Sequence, residues 1–273
     1  MQSLRFFFLI ALLYCSSPAQ AQPFKNTIPQ LMLTQWTGDQ GLISNNLTSS
    51  IQSQSGFIWI TTYNGLMRFD GIKFDIYHKQ ITPSLPSDSF YRTYEDSTGV
   101  LWFASQSNGI TRYYNNRFEH FLPNDSILPK SIRCLFLESN TVVWAGSSNR
   151  GLFRIENGQV SPVADSILKD ISVLDILKDK QGTIWVATEG YGVISISKQG
   201  IKEFTTFEGL ASNIVNTLAL LPTGEIAAGT NNGLNFINHN TISVQEQLKG
   251  IRINKLEIDL DGTVWIGAET GLG

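Results

Sequence analysis

Acidic, amide and aromatic side chains recur in this chain at regular spacings. Asp96-Ser-Thr-Gly99, Asp179-Lys-Gln-Gly182 and Asp259-Leu-Asp-Gly262 share an Asp-x-x-Gly pattern. The last of these opens as a calcium loop does. A calcium loop also needs further oxygen ligands and a bidentate Glu downstream, and here Trp265 and Ile266 follow instead. The pattern fits a hairpin turn, in which Asp bonds the turn backbone and Gly supplies a positive φ. The three histidines, His78, His120 and His239, fall 19, 18 and 12 residues after positions 59, 102 and 227, which are equivalent points of a repeat. They share no register, so no metal site is expected. No Gly-x-Ser-x-Gly elbow, His-Glu-x-x-His pair or phosphate-binding glycine loop is present. Neither a catalytic residue nor a cofactor is assigned. Acidic residues are numerous, so a glycosidase-like carboxylate pair stays open as an alternative.

A second polar set suits binding better than catalysis. It comprises Tyr63, Asn64, Gln106, Asn108, Asn149, Arg150, Glu189, Tyr191, Asn231 and Asn232. Each member lies shortly after a Trp or its substitute and just before or beside a glycine. Amides, aromatics and single charges gathered at one end of a structure suit a polar small ligand such as a sugar.

The elements that hold these residues repeat. Trp59, Trp102, Trp144, Trp185, Ala227 and Trp265 are spaced by 43, 42, 41, 42 and 38 residues. A fixed period of this length signals a repeat architecture. Apolar residues recur in phase at Leu47, Phe90, Ile132, Val173, Val215 and Ile253, directly before each marker, and directly after each second glycine. Short runs rich in Val, Ile, Phe and Tyr, punctuated by Gly, Asn, Asp and Ser, predict strands joined by tight turns. In the fourth repeat the strands are expected near 171–178, 183–188, 192–197 and 201–207. Four antiparallel strands per repeat make a β-propeller blade. The fold class is therefore all-β, with six blades near 47–78, 89–122, 131–163, 171–207, 214–246 and 252–273, the last incomplete. This reads as part of a seven-bladed ring. Each Trp is expected to be a wedge between blades. Two positions after it stand Thr61, Ala104, Gly146, Ala187, Gly229 and Gly267, small enough for close approach of inner strands. The next positions, Thr62, Ser105, Ser147, Thr188 and Thr230, carry hydroxyls able to bond local backbone. Residues 31–36, followed by Gly41-Leu42, resemble the stretch from Phe204 to Asn213 and are expected to form a strand that closes the last blade. The fifth repeat has Ala227 for Trp and Leu221 for Asp. It is expected to pack weakly unless a neighbouring side chain fills the gap.

The first 21 residues read as a signal peptide: Arg5, an apolar run from Phe6 to Tyr14, then Ala19-Gln-Ala21. Cleavage after Ala21 places the mature chain in the periplasm or outside the cell. Bulky Tyr14 before Cys15 disfavours a lipoprotein. Cys134 then has no disulfide partner, and its apolar strand setting marks a buried thiol. A net charge of −3 without a basic block argues against nucleic acid.

The motifs resemble those of the two-component regulator propeller family. Its repeat runs approximately Gly-Leu-Ser-Asn, an apolar strand, Asp-x-x-Gly-x-Ile-Trp-Ile-Gly-Thr, then Gly-Leu. Asp179-Lys-Gln-Gly-Thr-Ile-Trp185-Val-Ala-Thr, Asp259-Leu-Asp-Gly-Thr-Val-Trp265-Ile-Gly-Ala and Gly209-Leu-Ala-Ser-Asn213 carry the likeness, which extends over residues 31–273. Thr141, Ala227, Leu221 and Ser53 depart from it. The resemblance implies a periplasmic ligand-sensing propeller, the sensor part of a two-component signalling protein that detects an oligosaccharide or other polar ligand. It implies further C-terminal signalling domains, among them a histidine kinase, an inner-membrane anchor and a dimer formed through that parent. The chain itself shows no kinase motif, so no enzymatic activity is assigned to it. The alternatives are a secreted propeller enzyme acting on polysaccharide and a protein-binding scaffold.

Overall fold

The computed structural model describes residues 36–122, 127–163 and 166–272. All of them lie in one compact unit, residues 34–273. The signal peptide and most of the expected closing strand fall outside the described residues.

Five four-stranded antiparallel sheets follow one another along the chain, each with its strands in sequence order. The sixth sheet has three strands among the described residues, Ile253–Ile258, Val264–Ala268 and Gly271–Leu272. In the fourth blade the strands are Val173–Lys178, Ile184–Thr188, Val193–Ser197 and Gly200–Phe204, within a few residues of expectation. The architecture is a β-propeller of six blades, the last with three strands. The first strands of the blades, Leu47–Gln52, Phe90–Glu95, Ile132–Leu137, Val173–Lys178, Val215–Leu220 and Ile253–Ile258, pack in succession around the centre.

The tryptophans act between blades. Trp59 is buried with Leu101, Phe103 and Phe118 of the second blade. Trp102 packs on Ile132, Val143 and Phe153 of the third, and Trp185 on Leu218, Ile226 and Ile237 of the fifth. Trp144 is partly buried against the fourth blade. Trp265, on the sixth, is half-buried. The turn carboxylate has two tasks. Asp179 Oδ1 accepts from the backbone N–H groups of Gln181 and Thr183, while Oδ2 accepts from Trp185 Nε1 at 2.8 Å. Asp96–Trp102 and Asp259–Trp265 repeat the arrangement, so in these three blades one side chain fixes both the turn and the rotamer of the wedge. At Trp144 the tasks are split: Glu138 Oε2 accepts from the indole, and Ser139 Oγ accepts from the turn N–H groups of Thr141 and Val142.

Small residues near the axis allow close approach. A Cβ on Gly146 would lie 2.5 Å from Val173 Cγ1, and one on Gly229 would lie 2.7 Å from Ile253 Cγ2. In both cases the first apolar residue of the next blade occupies the space. Blade five differs from expectation. Ala227 is fully buried and pairs across the strand with Phe236, and both join the cluster formed with Ile253, Leu256 and Ile266 of blade six. The opposing position is Arg68, Arg112 or Arg154 in the first three blades, where the guanidinium stacks on the Trp 5.4–5.9 Å from the ring centroid. In blade five the aromatic ring has moved to the neighbouring strand, where it packs in the interface with blade six.

The chain enters in a way that echoes blade four. Trp36 meets Phe69 and Phe74 edge-on, with ring centroids 4.9 and 5.4 Å away. Phe204 packs in the same cluster as Ile237 and Ile242, the equivalent pair of blade five. After each comes the same loop, in which Thr37 N–H donates to Gln40 Oε1 and Thr205 N–H to Glu208 Oε2.

Trp185→Ala is expected to cost about 3–5 kcal/mol through lost burial and an unfilled cavity. Ala227→Trp should destabilise by about 1–3 kcal/mol, because Phe236 already occupies the interface. Denaturant midpoints check both. A stabilised Ala227→Trp variant would show an open cavity at blade five.

Candidate functional site

Each first strand starts at the end of the molecule that carries the turns between second and third strands, here called the mouth. Each also contains a β-bulge there. In blade two Phe90 pairs with Ser105 and Arg92 with Ala104, so Tyr91 is the extra residue. The bulge recurs in all six blades. It re-aims one side chain per blade. Those residues are Thr48, Tyr91, Arg133, Leu174, Asn216 and Asn254.

The bulge residues meet the turn residues. The ring of Tyr63, on the first blade's turn, stands edge-on to Tyr91 with centroids 6.1 Å apart. The Arg133 guanidinium lies 5.4 Å from the Tyr91 centroid. Arg133 Nη1 donates to Glu189 Oε2 at 3.1 Å and to Ser172 Oγ at 3.3 Å. A continuous aromatic, cationic and acidic row thus crosses the mouth from blade one to blade four. Farther round, Asn216 Nδ2 donates to Asn231 Oδ1 at 2.9 Å and to Ile253 O at 2.8 Å.

The turns themselves are clasped from below. The hydroxyls of Thr62, Ser105, Ser147, Thr188 and Thr230 donate to the carbonyls of Gly65, Gly109, Gly151, Gly192 and Gly233. The same five oxygens accept from the N–H groups of Asn64, Asn108, Arg150, Tyr191 and Asn232. Each hydroxyl is buried and satisfied in both roles, so the turn backbone is rigid while its tip faces solvent. Gly192, at φ +72°, is held against Phe204 O, where a Cβ would lie 2.1 Å away; no larger residue fits there.

The ten expected residues all lie at this end, but they do not act as one group. Tyr63 and Glu189 join the row. Gln106 Oε1 accepts from Ser89 Oγ at 2.7 Å, Asn108 Nδ2 donates to Pro86 O, and Asn232 Nδ2 donates to Ala211 O at 3.1 Å. Those three side chains tie turns to loops. Asn64, Asn149, Arg150 and Tyr191 make no side-chain hydrogen bond or ion pair among the described residues. Residues 123–126 of the neighbouring loop lie outside the described residues. Tyr91 and Arg133 were missed because strand alternation gives no sign of a bulge. The sequence signal was a polar or aromatic residue directly after the apolar first-strand position in five of the six repeats, Leu174 being the exception.

Below the row lies a buried ion pair. Arg92 Nη1 contacts Asp175 Oδ1 at 2.6 Å, joining blade two to blade four across the centre. Arg92 Nη2 lies 3.4 Å from Asn216 O of blade five. Asp175 Oδ2 accepts from Leu218 N–H at 3.0 Å. Burial would raise the Asp175 pKa, but the Arg92 charge, then Lys255 and the Leu218 N–H, hold it below its ordinary value. Arg92 is correspondingly raised, burial notwithstanding. Cys134 is buried, its thiol pushed up to about 12 by burial, and its Sγ donates to Val173 O. Among the described residues no three His, Cys, Asp or Glu side chains gather as a metal site. His120 lies in an outer strand, His78 just past one, and His239 in a hairpin turn at φ +52°. Two clefts of about 450 and 750 Å³ open at the other end, between blades one and two and blades four and five. None of the ten candidates lines them.

The family model described as two component regulator propeller matches residues 84–107 and 167–190. Both matches cover the approach to a blade and its first two strands. Among solved structures, one similar chain is described as the extracellular domain of a hybrid two component system from B. thetaiotaomicron. It is 21% identical with TM-score 0.76, over 88% of this chain and 34% of that one. A second, described as the extracellular domain of a one component system from the same organism, is 20% identical with TM-score 0.69, over 85% and 34%. A catalytically inactive virginiamycin B lyase from Staphylococcus aureus, with quinupristin, is 21% identical with TM-score 0.65, over 85% and 80%. At these identities the likeness shows the shared fold. The chain spans about a third of the length of the two extracellular domains. A search of curated proteins finds no match.

Asp175→Asn should lower stability at neutral pH by about 3–5 kcal/mol, because it leaves Arg92 buried without its counter-charge. The folded-state pKa of Asp175 is depressed, so its contribution is present above the ordinary value of 3.8. It is lost as pH falls through the lower folded value. The variant's unfolding free energy should therefore depend less on pH below about 4 than that of the parent. Parallel acid titrations of urea stability would reveal an unchanged slope if the pair contributed nothing.

Proposed function

We propose that this chain is a periplasmic ligand-sensing propeller, the sensor part of a two-component signalling protein, and that it takes an oligosaccharide at its mouth. The observation that carries the reading is the row Tyr63, Tyr91, Arg133 and Glu189. Aromatic faces stack on the apolar faces of sugar rings, and fixed polar groups beside them take hydroxyls. The rigid clasped turns and the bulges present these groups with little freedom to lose on binding. The propeller fold shared with extracellular domains of two component and one component systems supports the sensor role and an extracytoplasmic place. The C-terminal signalling domains, the membrane anchor and a dimer through the parent belong to the same proposal. In it the chain binds and does not catalyse. The carboxylate in the row, Glu189, is engaged by Arg133. Ligand would act by favouring one arrangement of the propeller against the domains that follow.

Calorimetric titration of the full chain with oligosaccharides from digests of plant and host polysaccharides tests this. At least one class should bind. Tyr91→Ala and Tyr63→Ala should each weaken that binding by about tenfold or more, with thermal unfolding unchanged. Saccharide binding indifferent to both tyrosines would place the site elsewhere. The same indifference, with binding lost on substitution of the exposed cleft residues Asn116 or Asn240, would place it in the clefts at the other end.

A further inference from the structure

We propose that the saccharide received at the mouth is acidic, and that a uronic acid carboxylate docks on Arg133 with Arg150 beside it. The assignment rests on the mouth-face reading above and narrows it to one ligand chemistry. Arg133 is committed through one nitrogen only. Nη1 donates to Glu189 and Ser172, while Nη2 and Nε make no hydrogen bond among the described residues. Neither nitrogen is fully buried, and the side chain as a whole is 33% exposed. They form the planar fork that matches a carboxylate in two parallel bonds. Tyr91 lies under the guanidinium plane, and Glu189 and Ser172 hold its far end, so the fork is oriented before ligand arrives. Arg150 stands on the turn of the same blade. That turn is joined to the strand bearing Arg133 by the Ser131–Ser148 hydroxyl contact of 2.6 Å. Arg150 is exposed and forms no ion pair among the described residues.

The charge around them points the same way. The chain as a whole carries −3. At the mouth end of blade three stand Arg133, which contacts Glu189, and Arg150, which forms no ion pair among the described residues. An arginine without a counter-charge on the same blade as the fork favours an anionic group and raises its rate of arrival at low salt. An oxyanion on a sugar can be a carboxylate or a sulfate. We assign carboxylate because the fork offers two parallel donors in one plane, with Tyr91 beside it to take the flat face of the ring that bears the acid.

The test uses the full chain and three probes in calorimetric titrations at low and high salt. They are a short oligogalacturonate, the same oligomer with its carboxyls methyl-esterified, and a sulfated disaccharide without uronic acid. The oligogalacturonate should bind, more weakly as salt rises, and the ester should bind about 10- to 100-fold more weakly. Arg133→Ala should reproduce the ester's loss for the acidic probe only. Arg133→Lys should recover part of it, since it restores charge without the fork. Circular dichroism and unfolding midpoints should not change, because the side chain is at the surface. Equal binding of acid and ester, with Arg133→Ala harmless, overturns the acidic assignment and leaves the oligosaccharide reading standing. Binding of the sulfated probe alone also overturns it. Failure of these probes and of every neutral oligosaccharide overturns both.

Discussion

The innermost strand of each blade has one edge paired within its sheet and one edge open toward the next blade. Backbone N–H groups on that open edge are buried and need acceptors. The molecule supplies an acceptor at each step, always at the same strand position. Thr93 N–H donates to Ser49 Oγ, Leu135 N–H to Tyr94 Oη, and Ile176 N–H to Asp175 Oδ1. Leu218 N–H donates to Asp175 Oδ2 and Leu256 N–H to Thr217 Oγ1. Four of these five acceptors come from the preceding blade. Side chains next to the axis are thus chosen by the open edge, and the buried Arg92–Asp175 pair is one outcome. A carboxylate that accepts from two strands must be ionised and compensated, and Arg92 reaches across to do so.

The second requirement is that flat sheets stack face to face without voids. The Asp–Trp bond, six residues apart in sequence, solves it by locking the wedge to its own turn. Arginine lids then cover the ring in the first three blades. Blade five meets the same requirement with different residues, placing Phe236 opposite Ala227. The aromatic ring at the interface moves one strand over, from the marker position to its cross-strand partner.

The period of the Trp markers was enough to read the blades, their strand limits and the small residues at Gly146 and Gly229. Those features follow from spacing and size, which sequence records directly. The hydroxyl clasps were also legible as a column of Ser and Thr. The end of the molecule that carries the ten candidate residues followed from strand alternation, but the row of Tyr63, Tyr91, Arg133 and Glu189 across it did not. Tyr91 and Arg133 project where they do because an unpaired residue breaks the two-residue period, and the polar or aromatic residue that marks the break in most repeats does not by itself tell a bulge from ordinary alternation. The ion pair was hidden for a different reason. Arg92 and Asp175 are 83 residues apart and meet only because two non-adjacent blades face the same centre. The repacking of blade five was visible only as an absence, since Phe236 gains its meaning from its cross-strand partner.

The hydroxyl beneath each mouth turn separates two jobs that loops usually combine. It binds backbone atoms alone, so the frame is indifferent to which side chains ride on the tip. Tyr-Asn, Gln-Ser-Asn, Ser-Asn-Arg, Glu-Gly-Tyr and Asn-Asn sit on the same frame in successive blades. A lineage built on this scaffold can exchange one cassette at a time, with little threat to folding. The mouth surface is then like text set in movable type, with the letters replaced and the press unchanged.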